Sequence, residues 1–398
     1  MGWARATALG LFLFAFTGSA RAQGWTRASG DVDLTPLGGH DIWSRIHARD
    51  GGPLWHVWSR SGEVWLQRRD RVTLAPAGAP IHVNITTHLQ QDEPELIVLD
   101  DGRVVVAWSD RSSQWAQYMS CQVAIFDESG ALLLPETPMW SNAAAAQTNW
   151  RPMLDRTREG GFVAAWTAGW GEKSYARVFD GDGTPLAPEF PLQPPSSAKQ
   201  NSPDIAQGRG GTWFVAYHDG ASATPKDVRL RWLEPAGTIG ATTAMFDQPT
   251  SSWDARTATD AKGLAVATWG APGDGQDVWL ARTDAAGHEL EGPLLVGGGP
   301  GEQRNPELEL ADRTGGLLAF EDRALNRVVV VEIDLRGRPG ASWPAHLQAL
   351  GPTWSGETGR RIPDVWVSRD GREAIVAWTA AAPSGADQDG WAARFVRD

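Results

Sequence analysis

One pattern recurs along the chain and limits its fold more than any other feature of the sequence. A proline precedes a short apolar segment, a charged turn with glycine follows, and a second apolar segment ends in an aromatic residue. One copy begins at Pro94 and ends at Trp108, and the next begins at Pro152 and ends at Trp166. Such self-similarity is typical of repeat architectures, in which each unit buries its apolar faces against its neighbours.

Seven copies align on the aromatic residue that ends the second segment, and these residues lie 50 to 58 positions apart. The first copy is degenerate, and the fifth has no proline. The terminal aromatic residues are Trp58, Trp108, Trp166, Tyr217, Trp269, Phe320 and Trp378. Because they share one repeat position, we expect the tryptophans among them to form the core between neighbouring repeats.

Most copies continue with a third segment of alternating apolar residues, a turn with glycine and a short fourth segment. Residues 123–126 and 228–232 are examples of the third segment. Period-two alternation with turn residues between the segments predicts four β-strands per unit. Four-stranded units that repeat about every 50 residues are typical of propeller blades. The predicted fold is therefore an all-β, seven-bladed β-propeller with four-stranded blades.

The two ends of the chain favour a closed ring. The last copy stops after its third segment, residues 391–395, while residues 31–34 precede the first copy and have no other partner. Pairing these segments would place an N-terminal strand in the last blade and remove an open sheet edge. The propeller is predicted to span residues 23–398, with blades at approximately 40–90, 91–148, 149–199, 200–251, 252–302, 303–359, and 360–398 plus 24–39.

The repeat, roughly P-x-strand-D-G-strand-W, resembles the one seen across many bacterial secreted β-propeller proteins. The resemblance covers about residues 24–398. It implies the fold and specifies no activity, since one fold hosts many functions.

Residues 1–22 have the features of a secretory signal peptide. Arg5 supplies a positive start, residues 6–16 are apolar but too short to span a membrane, and residues 20–22 match an A-x-A cleavage signal. Cleavage would leave Gln23 as the first mature residue. We expect a secreted or periplasmic protein without a lipid-anchor cysteine.

Composition excludes several classes of function and of stabilisation. The net charge of −12 argues against binding to a nucleic-acid backbone. No later run reaches the roughly 20 apolar residues of a membrane span. Cys121 is the only cysteine, so no disulfide can form within the chain, and we expect it to be a small buried apolar residue.

Tryptophan is unusually abundant, with 22 residues against three tyrosines. If the strands of a blade are named A to D from the axis outward, the long B–C and D–A loops share one face, which is the default binding face. Indoles on this face are suited to stacking on sugar rings; alternatively, they pack between blades. The candidates are Trp115 and Trp170 in B–C loops, and Trp140, Trp150, Trp253 and Trp354 in D–A loops.

Acidic residues follow the repeat proline in four copies, and inner strands converge on the axis of a propeller. These carboxylates would ring the channel and hold a hard cation such as Ca²⁺ through oxygen ligands. Alternatively, they pair with nearby arginines or face channel water. The acidic residues are Glu95, Asp204, Glu307 and Asp364. The arginines, also candidate ligand-binding residues, are Arg151, Arg304 and Arg361.

Three functions fit these patterns. The first is an exported, non-catalytic protein that binds a ligand, such as a glycan, through the loop tryptophans. The second is a glycoside hydrolase that uses carboxylates at the channel mouth. The third is an interaction scaffold at the cell surface. The absence of paired metal-ligand histidines, a nucleophile elbow or a phosphate loop favours binding over catalysis.

Overall fold

The computed structural model is built almost entirely of β-strands, with one short 3₁₀ turn at Arg209–Gly211. It describes residues 24–35, 40–112, 119–141, 148–169, 173–192, 200–219, 227–233, 239–246, 253–260, 265–272, 275–284, 288–298, 301–311, 315–334, 348–350, 363–381 and 388–397. Within these ranges, no helix has the length and apolar character needed to cross a membrane.

The first four blades each contain four antiparallel strands. Blade 1 consists of β3 (Asp41–Ala48), β4 (Leu54–Arg60), β5 (Glu63–Arg69) and β6 (Ile81–His82). Blade 2 consists of β7 (Gln91–Val98), β8 (Val104–Asp110), β9 (Ser120–Phe126) and β10 (Leu132–Pro138). Blade 3 consists of β11 (Asn149–Arg156), β12 (Phe162–Ala168), β13 (Lys173–Phe179) and β14 (Phe190–Pro191). Blade 4 consists of β15 (Gln200–Gln207), β16 (Trp213–Asp219), β17 (Asp227–Leu233) and β18 (Ile239–Phe246).

The remaining strands form three further blades. Blade 5 consists of β19 (Trp253–Thr259), β20 (Ala265–Pro272), β21 (Gly275–Thr283) and β22 (Glu289–Gly297). Blade 6 consists of β23 (Gly301–Ala311), β24 (Gly315–Asp322), β25 (Arg327–Ile333) and β26 (Gln348–Leu350). Blade 7 consists of β27 (Asp364–Val367), β28 (Glu373–Ala381) and β29 (Gln388–Arg397), completed by β1 (Trp25–Arg27) and β2 (Val32–Asp33). The structure thus confirms a seven-bladed β-propeller.

The N-terminal segment closes the last blade, as the sequence predicts. The expected segment pairs through β2, where Val32 lies opposite Ala392 in β29. The preceding strand β1 extends the pairing, with Trp25 opposite Arg397. Between the two strands, the Ala28 amide donates a hydrogen bond to a β29 carbonyl at 2.8 Å. The outer edge of β29 is therefore covered by the other end of the chain.

Buried apolar clusters fill the interface between each pair of neighbouring blades, including the interface of blades 7 and 1. The seven terminal aromatic residues are all at most 2% exposed, which confirms the tryptophans of this position as core. Cys121 is fully buried in the core between blades 2 and 3, and burial raises the pKa of its thiol. The ring is thus closed by apolar packing on every side.

The turn between the first two strands of blade 2 shows why the repeat carries a glycine. Gly102 has a φ of +94° and donates a hydrogen bond to the Leu99 carbonyl at 2.9 Å. This left-handed conformation strains any residue with a Cβ atom. The tight turn keeps the A–B connection short on that face of the propeller.

Deletion of residues 1–34 should destabilise the propeller, compared with a chain that begins at Gly24. Trp25 and Leu34 are buried, and losing two such side chains costs roughly 3 kcal/mol or more. Urea unfolding followed by tryptophan fluorescence measures the loss. The uncovered edge of β29 should also cause self-association, visible in sedimentation. Equal stability and a monomeric truncated chain would contradict the closure described above.

Candidate functional site

Each inner strand places one side chain at the same height along the propeller axis. In five blades this residue follows the repeat proline, and in blades 1 and 5 it follows Ser44 and Ala255. Ladder register pairs it with the residue just before the terminal aromatic, as Glu95 with Ala107. We call these seven residues the axial layer: Arg45, Glu95, Met153, Asp204, Arg256, Glu307 and Asp364.

A bulge precedes the axial layer in blades 1 to 6. In four of these strands, the residue two positions before the layer has a left-handed φ, between 51° and 61°. Residues with side chains rarely adopt this conformation, and bulges commonly redirect a side chain where a sheet meets a site. These four residues are Trp43, Glu93, Arg151 and Asn305. The strand geometry thus sets the height at which the layer side chains meet.

The two arginines of the axial layer hold its carboxylates. Arg45 forms ion pairs with Glu95 at 3.3 Å, Glu307 at 2.8 Å and Asp364 at 3.5 Å. Arg256 donates a hydrogen bond at 2.8 Å to the same Oε1 atom of Glu307 that Arg45 contacts. In order around the ring, Arg45 stands between Asp364 and Glu95, and Arg256 stands between Asp204 and Glu307. The layer is therefore two acid–arginine–acid groups joined through Glu307.

Two acids of the layer also bind the backbone of the next blade. Asp364 Oδ2 accepts a hydrogen bond from the Ile46 amide at 2.5 Å. Asp204 Oδ2 accepts one from the Thr257 amide at 2.6 Å. Both amides belong to inner strands, whose axial edge has no strand partner. These carboxylates therefore link neighbouring blades in addition to pairing with arginine.

Burial changes the protonation of the layer. It raises the pKa of Glu95 to about 8, although the Arg45 guanidinium opposes the shift. It raises the pKa of Asp204 to about 7 against the opposing charge of Arg256, and that of Asp364 to about 6 against Arg45. Removal from water favours the neutral acid, and here it exceeds the attraction to arginine. Near neutral pH, the layer thus carries fewer negative charges than its four acids would supply in water.

This arrangement does not fit the predicted metal site. Glu95, Asp204, Glu307 and Asp364 converge near the axis, but their charged partners are Arg45 and Arg256. Across the ranges described above, no group of three or more histidine, cysteine or acidic side chains is arranged to hold a metal ion. A Ca²⁺ ion among these acids would lie against two guanidinium groups. Pairing with arginine, the alternative expectation, is what the structure shows, with different arginines.

A cavity of about 380 Å³ extends along the axis from the acids of the layer. Its lining follows the inner strands to their last residues and includes none of the bulge residues that precede the layer. Asp100, Arg158 and Arg369 lie at this far end and are exposed to solvent. The cavity therefore opens on the face of the A–B turns, with the axial layer as its floor. The loop lengths had predicted the opposite face as the default binding face.

The tryptophans predicted to bind a ligand have diverse positions. Trp140 is half-buried against the core of blades 2 and 3, and Trp150 is half-buried with the Arg151 guanidinium 4.5 Å from its ring centre. Trp150 and Trp253 lie inside inner strands, β11 and β19, and not in D–A loops as predicted, because those strands begin earlier. Outside the described part of the chain lie Trp115, Trp170, Trp354 and the side chain of Trp253.

Two of the three predicted arginines, Arg151 and Arg304, contact acids outside the axial layer. The Arg151 guanidinium donates a hydrogen bond to Glu93 at 3.2 Å, and the Arg151 backbone amide donates one to the Ser109 hydroxyl at 2.9 Å. Arg304 contacts Glu321 at 3.2 Å. Both lie before the layer in their strands, so they are on the D–A side of it. Arg361 lies outside the described residues.

Sequence reasoning missed Arg45 and Arg256 because they occur in the two copies without the proline. Aligning the copies on the terminal aromatic residue gives the signal that was needed. Arg45 stands 13 positions before Trp58, and Arg256 stands 13 positions before Trp269, as Glu95 does before Trp108 and Glu307 before Phe320. Counting back from the aromatic residue would have placed both arginines among the acids.

Comparison with known proteins supports the fold. No family model and no curated protein matches the chain. Among solved structures, it is similar to a protein of unknown function from Dyadobacter fermentans DSM 18053, with 15% identity, a TM-score of 0.57, and coverage of 79% of this chain and 97% of that one. It is also similar to an ulvan lyase from a new polysaccharide lyase family, with 11% identity, a TM-score of 0.59, and coverage of 94% and 96%.

A third similar structure is the α-L-arabinanase of Penicillium chrysogenum, with 11% identity, a TM-score of 0.56, and coverage of 92% of this chain and 98% of that one. Identities this low carry information about the fold alone. They agree with the seven-bladed propeller seen here.

Replacing Arg45 with methionine should destabilise the protein by about 3–5 kcal/mol at pH 7, the usual cost of removing one partner from a buried ion pair. The loss should shrink at pH 5, where protonation removes the charge of Asp364, whose pKa is about 6. Urea unfolding at the two pH values measures both effects. The matched change Arg103→Met, in an exposed ion pair with Asp101 at 2.5 Å, should cost under about 1 kcal/mol. Equal losses for the two variants would contradict the role given to Arg45.

Proposed function

We propose that the protein is an exported propeller that binds a saccharide in its axial cavity. The observation that carries this proposal is the cavity of about 380 Å³, whose floor is the acids of the axial layer. Its volume falls within the roughly 300–1,000 Å³ of small-molecule sites. The repeat pattern and the features of residues 1–22 support the export part of the proposal.

The lining chemistry favours a ligand rich in hydroxyl groups. Acids with pKa values near 6 to 8, such as Asp364 and Glu95, both donate and accept hydrogen bonds around neutral pH. Arg156 and Arg158 add guanidinium donors above the floor. A sugar hydroxyl is both donor and acceptor, so it can satisfy either form of a carboxyl group.

The similar structures support the same class of ligand. Two of them are named as an ulvan lyase and an α-L-arabinanase, which are enzymes that act on polysaccharides. Their propellers cover more than nine-tenths of this chain. A carbohydrate ligand for this chain is thus consistent with the use that similar propellers make of the fold.

Binding without catalysis is favoured by the bonds that the floor already makes. Glu307 Oε1 accepts hydrogen bonds from two arginines. Asp204 Oδ2 and Asp364 Oδ2 each accept a hydrogen bond from a backbone amide. A nucleophile or a general base needs a free oxygen that faces the substrate. These three oxygens of the floor already accept hydrogen bonds within the protein and are therefore not free to act as a nucleophile or a general base.

A glycoside hydrolase is the second candidate, and one observation favours it. The Arg45 guanidinium contacts two carboxyl groups whose pKa values differ, with Glu95 at about 8 and Asp364 at about 6. Carboxyl groups with separated pKa values are the usual acid and base of glycoside hydrolysis. Under this alternative, Glu95 would be the acid that stays protonated at neutral pH.

The export part of the proposal is tested by the mass of the mature protein. When the full chain is expressed in a bacterial host with a secretion pathway, the protein recovered outside the cytoplasm should begin at Gln23. Intact-mass spectrometry identifies the first residue. Recovery of the uncleaved chain from the cytoplasm alone would contradict export.

The binding part is tested on a glycan array with the mature chain, followed by titration of the best ligand. Ala206 lines the cavity, so Ala206→Phe should fill it and weaken binding at least tenfold, or about 1.4 kcal/mol. The same change at exposed Ala79 should leave affinity intact. Thermal unfolding of both variants shows whether they fold.

Other outcomes decide between the candidates. Release of a cleaved product that disappears in Glu95→Gln or Asp204→Asn would support the hydrolase and reject a purely binding role. A third result is that the chain binds no glycan but captures an exported protein partner, and that Ala206→Phe still captures this partner. This result would reject both the saccharide-binding protein and the hydrolase and would favour the scaffold at the cell surface.

A further inference from the structure

Arg156 lines the axial cavity with a guanidinium that has one charged contact. It is the last residue of β11, and its side chain is 20% exposed. Its nearest charged partner is Asp100, whose carboxylate lies 3.7 Å away, beyond normal hydrogen-bond distance. Within the described part of the protein, the guanidinium donates no hydrogen bond. The five N–H donors of this guanidinium are therefore available to a ligand in the cavity.

Glu309 presents a carboxyl group to the same cavity from the opposite side of the ring. It lies in β23 of blade 6, three blades away from Arg156 in blade 3. Within the described ranges, its carboxyl group has no hydrogen-bond partner. Burial raises the pKa of Glu309 to about 8, and the positive charge of Arg156 opposes this shift. The two groups therefore interact electrostatically across the channel. At neutral pH, Glu309 is therefore mostly a neutral acid with an O–H donor.

We infer that the cavity binds an acidic saccharide, a uronate whose carboxylate is bound between Arg156 and Glu309. This inference rests on the proposed function and names the class of sugar that the site takes. A guanidinium binds a carboxylate through two parallel hydrogen bonds, and a protonated acid can add a third donor. The neutral hydroxyl groups of the same sugar face the floor of the cavity.

Arginines at the mouth and acids with raised pKa values surround the two groups. Arg158 and Arg369 stand at the mouth beside Arg156, and Arg369 pairs there with Asp100 at 2.6 Å. The acids whose charges act on Glu309 are Asp155, Asp364 and Asp204, and burial raises the pKa of each of them. A cationic ligand would meet the guanidinium of Arg156 directly.

The test compares trigalacturonate with the same trisaccharide after reduction of its carboxyl groups, titrated into the mature chain by calorimetry. The two ligands differ only in the carboxylates, so wild-type protein should bind the acidic one about 10- to 100-fold more tightly, as expected for a charge-assisted pair. Arg156→Gln should remove this preference. Arg327→Gln, the same change at an exposed position of blade 6, should preserve it.

Glu309 provides a second, independent readout. Binding of trigalacturonate should weaken as the pH rises through about 8, because Glu309, and Glu95 on the floor, then lose their protons and repel the carboxylates of the ligand. Glu309→Gln cannot ionise, so its binding of trigalacturonate should fall less steeply than that of wild type over the same pH range. The groups that face Glu309, namely Arg156, Asp155, Asp204 and Asp364, are unchanged in this variant.

The outcomes separate the two proposals. If both trisaccharides bind with equal affinity, or if Arg156→Gln folds and keeps the preference, the acidic class is overturned and saccharide binding stands. If neither these trisaccharides nor any glycan on the array binds, both proposals are overturned. Preference for the acidic ligand that depends on Arg156 and falls above pH 8 supports the inference.

Discussion

The inner edge of each blade is the constraint on which the rest of the structure depends. An innermost strand has a β-partner on one side only, so half of its backbone groups face the axis, where burial makes an unpaired N–H costly. Side chains of the preceding blade accept these hydrogen bonds. The pairs are Asp364 with the Ile46 amide, Asp204 with Thr257, Asp155 with Gln207, His47 with Val98, and His218 with Ala255. All of them link a blade to its successor.

Accepting a hydrogen bond from a backbone amide also constrains the protonation state of the histidine side chain. His47 Nδ1 accepts the Val98 amide proton at 3.1 Å, which requires that nitrogen to be unprotonated. Burial lowers the pKa of His47 well below its usual value, and Arg156 and Arg369 act in the same direction. The neutral ring is therefore favoured by its surroundings and needed by its partner. Polar side chains near the axis, such as His47, thus accept hydrogen bonds from backbone amides of the next blade.

The charged layer follows from the same constraint. Carboxylates are effective acceptors for axial amides, but four of them around one axis repel each other and lose hydration. Two responses are visible in the structure. Arg45 and Arg256 each stand between two acids, and burial leaves Glu95 and Asp204 with pKa values of about 8 and 7. Partial protonation and two guanidinium groups together reduce the surplus of negative charge. The side chains of the axial layer can therefore stay close together near the axis.

The fold could be predicted because it is encoded many times over. Seven copies with one aromatic position give seven independent indications of a blade, and the missing fourth strand of the last copy indicates that the N-terminal segment completes it. The convergence of Glu95, Asp204, Glu307 and Asp364 could be predicted for the same reason. Their partners could not, since Arg45 and Arg256 occur where the proline that marked the position is absent.

Side-chain roles outside the repeat were harder to predict for a physical reason. An indole in the sequence does not show whether a neighbouring residue covers it, and Arg151 covers Trp150. An acid near the axis likewise does not show whether its charge is used by an arginine, an amide or a metal. Local sequence specifies the strand that carries a side chain, while the neighbouring blades, distant in sequence, specify its partner.

The position of the cavity has a consequence for how such a protein would acquire its selectivity. The axial layer and the bulges before it separate the cavity from the face of the long loops, so those loops can vary without touching its lining. The mouth is bordered by short turns such as the one at Gly102, which are held by their own backbone hydrogen bonds. Selectivity must then arise from the inner strands themselves. Arg156 and Glu309, at or near the ends of two such strands, line the cavity, and within the described ranges their side chains make no hydrogen bond.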